Sequence, residues 1–271
     1  MFDTVLVPLT LHEKQEEISK LFAVLVRMNV RSVILFHVKG DRSREKVERS
    51  LRQYGESAVP DGLEYTAETH PGPVSGTIVD AALNDKADGI AIPFARKGWL
   101  QRALLGSVTK DVIRSSPLPV FVHKPWPNRD EVPPTFRVLY ATSLSPSDAS
   151  IISFLQSANV VPDEVVLLHV GRRAPDPTAE AGRHNDVVAG LNGLSMRTGL
   201  PGDNVTIESV IGRPKRQIVR RSRLLEADLV VIGKSDTTAG LEQVLGSTAE
   251  EVSYNAWSSV LVVPTQSEAS P

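Results

Sequence analysis

Short, nearly continuous runs of Val, Ile and Leu recur along the chain, and stretches with helical spacing separate them. Between residues 13 and 28, apolar residues recur every three or four positions, as on one face of an amphipathic helix. They are Ile18, Leu21, Phe22, Leu25 and Met28. The continuous runs are typical of strands buried on both faces of a parallel sheet. This alternation predicts right-handed crossovers and a doubly wound α/β fold.

The hydrophobic runs of the first half recur in the same order in the second half. The matched segments are Asp3–Thr10 with Phe136–Ser143, Ser32–Val38 with Glu164–Val170, His70–Ala82 with Val210–Ser222, Ala87–Pro93 with Ala227–Gly233, and Leu118–Pro125 with Ser258–Thr265. The offset between matched residues is 132 at His169 (169 − 37) and 140 at Asp228 (228 − 88), so the second half has about eight extra residues between its second and third strands. We predict two duplicated domains of five parallel strands each.

The domain boundaries follow from this repeat. We predict a first domain over residues 1–125 and a second over residues 136–265. The Pro-rich segment 126–135 is interpreted as a linker, because proline disfavours helices and lacks a backbone N–H for a sheet. Residues 266–271 are expected to form a loose polar tail.

Composition excludes several classes of protein. With 41% hydrophobic and 23% charged residues the chain resembles an ordinary globular protein, and its net charge of -2 gives no overall attraction to nucleic acid or membrane. There is no cysteine, which excludes disulfides, thiolate nucleophiles and cysteine-ligated zinc. The first residues do not form a signal peptide, and no apolar run reaches the roughly 20 residues that span a bilayer. We therefore expect a soluble cytoplasmic protein without membrane contact.

A long loop after the fourth strand of the second half carries the candidate chemistry. It reads GKSDTTAGLEQVLGST from Gly233 to Thr248, and LLGSVTKDVI from Leu104 to Ile113 repeats its end in the first half. In an open parallel sheet, ligands bind beyond the carboxyl ends of the strands. A Gly-Ser pair at a helix start offers free N–H groups and the positive end of the helix dipole to a phosphate. The alternative for both loops is a simple helix cap.

These features together resemble the universal stress protein family. They are the order of elements, the strands LFHV and LLHV, the Gly-x-Pro turn at residues 212–214, and the long loops that end in LGS before a helix. The resemblance covers nearly the whole chain and is strongest over residues 87–123 and 227–264. Two such domains in one chain resemble the tandem members of the family. The resemblance implies a Rossmann-like fold of the adenine nucleotide alpha hydrolase type and a non-catalytic, regulatory role in the stress response.

The ATP-binding members of that family share a loop of Gly, two residues, Gly, nine residues, then Gly followed by Ser or Thr. The positions that the resemblance assigns to nucleotide binding in the second domain are Ser143, Val170, Gly233, Asp236, Gly246, Ser247 and Thr248. Asp236 stands where the binders have their middle Gly. A carboxylate beside a triphosphate is repulsive unless a divalent cation such as Mg²⁺ lies between them.

The first domain departs further from that loop pattern. Its equivalent positions are Thr10, Val38, Arg96, Gly106 and Ser107. Pro93 replaces the first Gly and cannot donate an N–H, whereas Arg96 replaces the second and has a guanidinium that suits phosphate. We therefore expect any site for ATP or a related adenine nucleotide, with Mg²⁺, to lie in the second domain.

Three functions remain open on the sequence alone. The chain binds a nucleotide through its second domain, or it is a nucleotide-independent stress protein that contacts a protein partner with both loops silent. A slow ATPase is the third alternative, with Asp236 as its candidate general base. The last strands, Pro119–Val122 and Ser259–Val263, resemble those that pair in the family. They are expected to pair either within one chain or across a homodimer.

Two further features have both a functional and a structural interpretation. The helix after the Gly-x-Pro turn is rich in basic residues, namely Arg213, Lys215, Arg216, Arg220, Arg221 and Arg223. It is either a patch for an anionic partner or a solvated helix face, and the lack of interleaved aromatic residues argues against nucleic acid. His37 and His169 end equivalent strands, where we expect local hydrogen bonds and no metal.

Overall fold

The computed structural model describes residues 2–40, 43–93, 99–124, 135–145, 148–158, 162–173, 176–235 and 248–265. For residues 99–106 it describes the backbone alone. The chain divides into two compact units, one built mainly from the first half of the sequence and the other mainly from the second half. No helix among the described residues is both long and apolar enough to cross a bilayer.

The first unit alternates strands and helices. Its elements are β1 (Thr4–Pro8), α1 (Gln15–Arg27), β2 (Ser32–Lys39), α2 (Arg44–Ala58), β3 (Glu64–Pro71), α3 (Val74–Asn84), β4 (Gly89–Pro93), α4 (Trp99–Ser115) and β5 (Val120–His123). The five strands are parallel in the order β3-β2-β1-β4-β5. In register, Val5 of β1 lies between Val33 of β2 and Gly89 of β4.

The second unit repeats this arrangement. Its elements are β6 (Arg137–Thr142), α5 (Asp148–Ser157), β7 (Glu164–Gly171), α6 (Pro177–Thr198), β8 (Val205–Ile211), α7 (Pro214–Leu224), β9 (Leu229–Ser235), α8 (Thr248–Asn255) and β10 (Ser259–Thr265). The strands are parallel in the order β8-β7-β6-β9-β10. The predicted doubly wound sheet of five parallel strands is therefore confirmed in each unit.

The extra residues of the second half lie between β7 and β8. There α6 has 22 residues, whereas its counterpart α2 has 15. A short 3₁₀ turn at Gly202–Asn204 follows α6. The length difference is therefore taken up mainly by a longer crossover helix, and the sheet order stays unchanged.

The repeated Asp of the two halves is structural. The Asp88 carboxylate accepts hydrogen bonds from the backbone N–H groups of Asp3 at 2.8 Å and Thr4 at 3.0 Å. The Asp228 carboxylate likewise accepts from the Arg137 N–H at 2.9 Å. Both carboxylates lie at the amino ends of the strands, the edge opposite to the one where ligands of such sheets bind.

In each unit the winding direction reverses beside the first strand. β1 lies between β2 and β4, and β6 lies between β7 and β9. The chain goes from β1 to β2 on one side and from β4 to β5 on the other, and β6 and β9 likewise lead to β7 and β10 on opposite sides. This divergence opens a crevice at the carboxyl ends of the strands.

Candidate functional site

A cavity of about 290 Å³ lies at this crevice in the second unit. The carboxyl ends of β6, β7 and β9 form its floor, and α7 and the start of α8 contribute walls. Its apolar lining comes from Ile151, Leu168, Ile218 and Ile232. The cavity therefore combines an apolar floor with a helix N-terminus, whose first N–H groups have no partner within the helix.

Four of the predicted site residues line this cavity together. They are Ser143 after β6, Val170 in β7, Gly233 in β9 and Thr248 at the first position of α8. Ser143 and Thr248 are more than 100 positions apart in the sequence, and the order of the parallel strands brings these residues together. The predicted residues Asp236, Gly246 and Ser247 lie outside the described residues.

A buried carboxylate that the sequence analysis missed also lines the cavity. Asp148, the first residue of α5, is 5% exposed and accepts hydrogen bonds from the hydroxyls of Tyr140 and, at 2.7 Å, Thr142. The Thr142 hydroxyl oxygen accepts in turn from the Leu144 N–H at 2.8 Å. Burial raises the pKa of Tyr140, and the adjacent Asp148 carboxylate raises it further, so the phenol stays protonated and donates.

This polar cluster belongs to the second unit. At the equivalent positions, 133 residues earlier (136 − 3), the first unit has Val7, Leu9 and Gln15. The sequence signal for this cluster is therefore a difference between the repeats, and positions that the repeats share do not reveal it. Lys234, at the end of β9, also lines the cavity and was missed in the same way, since the first half has Phe94 there.

The two strand-end histidines make the local hydrogen bonds that were expected. The His37 Nδ1 donates to the Leu9 carbonyl oxygen at 2.7 Å, and the His169 Nδ1 donates to the Thr142 carbonyl oxygen at 3.2 Å. The first bond ties the end of β2 to the residue just after β1, and the second ties the end of β7 to the last residue of β6. No group of three or more His, Asp or Glu side chains among the described residues could hold a metal ion.

The equivalent region of the first unit is arranged differently. The Thr10 N–H and hydroxyl both donate to the Glu13 carboxylate, at 2.8 and 2.6 Å, so Thr10 already has an internal partner. Val38 lies near the carboxyl end of β2, as predicted. The predicted residue Arg96 lies outside the described residues.

The prediction that Gly106 and Ser107 begin a helix is wrong for the first unit. There α4 begins at Trp99, so both residues lie inside the helix. The sequence WLQRALLG before Ser107 is rich in strong helix formers, which offset the cost of about 1 kcal/mol for an internal Gly. Within a helix, the N–H groups of Gly106 and Ser107 bond to earlier carbonyls and are not available to a phosphate.

Comparisons with known proteins agree with the duplicated architecture. The model of the universal stress protein family matches residues 1–124 and again residues 135–264. A universal stress protein structure from Archaeoglobus fulgidus DSM 4304 is 20% identical, with a TM-score of 0.65 over 98% of this chain and 100% of that chain. A protein of unknown function from Pseudomonas aeruginosa PAO1 is 19% identical, with a TM-score of 0.69 over 97% of this chain and 93% of that chain. These likenesses show the fold.

Proposed function

The chain belongs to the universal stress protein family and carries two of its domains in tandem, and from this premise we propose that its second domain binds ATP or a related adenine nucleotide. The protein would act as a non-catalytic, regulatory module of the stress response. The observation that carries the proposal is the cavity at the ends of β6, β7 and β9, on which Ser143, Val170, Gly233 and Thr248 converge.

The size and lining of the cavity suit the nucleoside part of such a ligand. Its volume of about 290 Å³ is close to the lower limit of small-molecule sites, which is roughly 300 Å³. Leu168, Ile218 and Ile232 offer apolar surface to the faces of a purine. The phosphates would extend toward the start of α8, whose first N–H groups have no partner within the helix and favour anions.

The polar groups of the cavity have complementary roles in this proposal. Each oxygen of the Asp148 carboxylate accepts one hydrogen bond from the protein and has a second lone pair for a ribose hydroxyl. The Lys234 ammonium, at the end of β9, would face the phosphate side. A Mg²⁺ ion would be held by the phosphates and Asp236.

Calorimetric titration with Mg-ATP tests this proposal. We expect one binding site in the wild-type chain and no measurable heat for Gly246→Val, because a branched side chain blocks close approach of phosphate to the loop backbone. Gly106→Val is the matched control at the equivalent position of the first domain and should leave the affinity unchanged. A phosphate-release assay on the same samples should show no turnover.

Two results would contradict the proposal. Binding that survives Gly246→Val but is lost in Gly106→Val would place the site in the first domain. A flat titration for the wild-type chain would favour the alternative, a nucleotide-independent protein that acts through protein contacts. In the first unit Gly106 and Ser107 lie inside α4 and not at its start, which agrees with a first domain that does not bind nucleotide.

A further inference from the structure

A second concave surface lies on the outside of the second unit, between α7 and α8. We call it the α7–α8 groove, and its volume is about 620 Å³. Cationic side chains of α7 line one side, namely Lys215, Arg216, Arg220 and Arg223. Glu251 and Asn255 of α8 line the other side. The described lining therefore has four cations against one carboxylate, although the chain as a whole has a net charge of -2.

The groove also has apolar surface in contact with solvent. Leu224 at the end of α7 is 62% exposed, and Trp257 just after α8 is 40% exposed. Val219 of α7 also lines the groove. The guanidinium of Arg223 lies 4.8 Å from the centroid of the Trp257 ring, a cation–π distance that orients both side chains. Exposed apolar side chains rimmed by charges are typical of binding surfaces.

The fold itself does not require these side chains. The equivalents of Arg216, Arg220 and Arg223 in the first unit, 140 residues earlier (228 − 88), are Gly76, Asp80 and Leu83. The equivalents of Leu224 and Trp257 are Asn84 and Pro117. The helix α3 has the same length as α7, 11 residues, without any cation. The groove chemistry is therefore an addition to the second repeat.

Three of the basic side chains are placed to act together. Arg216, Arg220 and Arg223 follow at intervals of four and three residues, so they share one face of α7. In contrast, Arg221 points elsewhere and pairs with Glu208, at 3.3 Å between Nη1 and Oε2. Among the described residues, no carboxylate forms an ion pair with Arg216 or Arg220.

We propose that the α7–α8 groove binds an acidic segment of a partner protein that carries apolar anchor side chains. Arginine binds carboxylates through paired, charge-assisted hydrogen bonds, and the Arg216 to Arg223 face offers three of them in a row. Leu224 and Trp257 would receive the anchors, as buried aromatic and aliphatic contacts do at the centre of interfaces. Single-stranded nucleic acid fits less well. Proteins that bind it stack successive bases on several aromatic side chains, and Leu224 offers no such ring.

Fluorescence anisotropy with synthetic peptides tests this inference. The probe is a fluorescein-labelled 16-residue peptide with Leu at every third or fourth position and Glu elsewhere. One control probe has Gln in place of Glu, another has Ser in place of Leu, and a 12-nucleotide oligouridylate represents nucleic acid. We expect the acidic amphipathic peptide to bind saturably and at least about ten-fold more tightly than either control peptide.

Variants locate the binding surface. The groove variant Arg216→Gln/Arg220→Gln/Arg223→Gln should weaken binding of the acidic peptide by about ten-fold or more, and Trp257→Ala should also weaken it. Circular dichroism should show both variants folded, since the first unit has none of these side chains at the equivalent positions, Gly76, Asp80, Leu83 and Pro117.

A matched control removes the same charge elsewhere in the second unit. Arg172→Gln/Arg173→Gln/Arg213→Gln neutralises three exposed arginines outside the groove and should change the affinity less than two-fold. An equal loss of peptide affinity in both triple variants would mean that only the net charge of the protein matters, and it would overturn the proposal. Equal affinity for acidic and neutral peptides would overturn it too, as would oligouridylate binding through the groove arginines without peptide binding. Because the groove is separate from the nucleotide cavity, Gly246→Val should leave peptide binding intact.

Discussion

At the scale of single residues, the carboxylate of Asp148 is buried, with an exposure of 5%. A buried charge is tolerated only when hydrogen bonds compensate for the water it loses. Tyr140 and Thr142 provide this compensation and also hold the loop after β6, in which Leu144 has a positive φ of 57°. The Asp148 side chain therefore both stabilises the loop after β6 and is the candidate contact to the nucleotide.

Removing the phenolic hydroxyl of Tyr140 should destabilise the protein. Tyr140→Phe takes one donor from a buried carboxylate, so we expect a loss of about 1–3 kcal/mol in the free energy of unfolding, measured by urea denaturation. Tyr54→Phe is the control, because the Tyr54 hydroxyl donates to a neutral acceptor, the Glu13 backbone carbonyl, at 2.7 Å. Its loss should be smaller, and an equal or larger loss for Tyr54→Phe would contradict this account of Asp148.

His123, at the end of β5 in the first unit, should make stability depend on pH. Burial and, to a smaller extent, the nearby Lys20 ammonium together lower the pKa of His123 to about 3. Between about pH 6.5 and pH 3 the unfolded chain binds a proton that the folded chain does not, so stability falls as the pH falls. The decrease from this one group should reach at most about 1.4 kcal/mol per pH unit.

Comparison with His123→Leu isolates this contribution. The substitution keeps an apolar neighbour for Phe121, whose ring centroid lies 6.0 Å from that of His123. We expect the wild type and the variant to diverge in the pH dependence of urea unfolding below pH 6.5 and to run parallel above it. Parallel curves over the whole range would mean that His123 is protonated equally in both states.

At the scale of elements, the turns before α3 and α7 each require a glycine, Gly72 and Gly212. Gly72 has a φ of 147° and Gly212 a φ of 154°, values that other residues rarely adopt. A Cβ on Gly212 would also lie 2.7 Å from the Gln217 Nε2. Backbone geometry therefore explains why both repeats have a glycine at this turn. This explanation does not depend on nucleotide binding by the loop after β9.

Gly212→Ala should therefore destabilise the second unit by about 1 kcal/mol or more. Gly76→Ala is the opposite control, because Gly76 lies inside α3 with no atom within 4 Å of an added Cβ. That substitution should stabilise the protein by roughly 0.5–1 kcal/mol. Thermal unfolding followed by circular dichroism measures both, and a neutral Gly212→Ala would show that the turn adapts without strain.

The elements also show what a sequence can predict. Strands such as β2 and β7 were predictable, because burial on both faces leaves a local run of apolar residues in the sequence. The start of α4 was not, because the Gly106-Ser107 pair looks the same inside a helix as at its end. The roles of Asp148 and Trp257 were hidden as well, since each depends on neighbours that only the fold brings close: Tyr140 for Asp148, and Arg223 for Trp257.

At the scale of the whole molecule, one fold was duplicated and its two copies acquired different surfaces. The second unit has the cavity at the ends of β6, β7 and β9, the Asp148 cluster and the α7–α8 groove. In the first unit Thr10 is hydrogen-bonded to Glu13, and Gly106 and Ser107 lie inside α4. We therefore expect the second domain to bind both the nucleotide and the protein partner, and the first domain to bind neither.

Hydrogen exchange read by mass spectrometry should show this division of labour. Addition of Mg-ATP should slow exchange at the carboxyl ends of β6, β7 and β9, because bound ligand stabilises the state in which those amides are protected. Peptides from residues 1–124 should be unaffected. Protection confined to the first domain, or equal in both, would contradict the assignment of the site to the second domain.

The central claim, an adenine nucleotide in the second domain, is tested most directly on the protein as it comes from cells. The chain is purified without added nucleotide and denatured, and the released small molecules are identified and counted by mass spectrometry. We predict ATP or a related adenine nucleotide at close to one molecule per chain, and its absence from Gly246→Val purified in parallel. No adenine nucleotide in the wild type, together with a flat Mg-ATP titration, would contradict the claim and leave partner binding as the function of the fold.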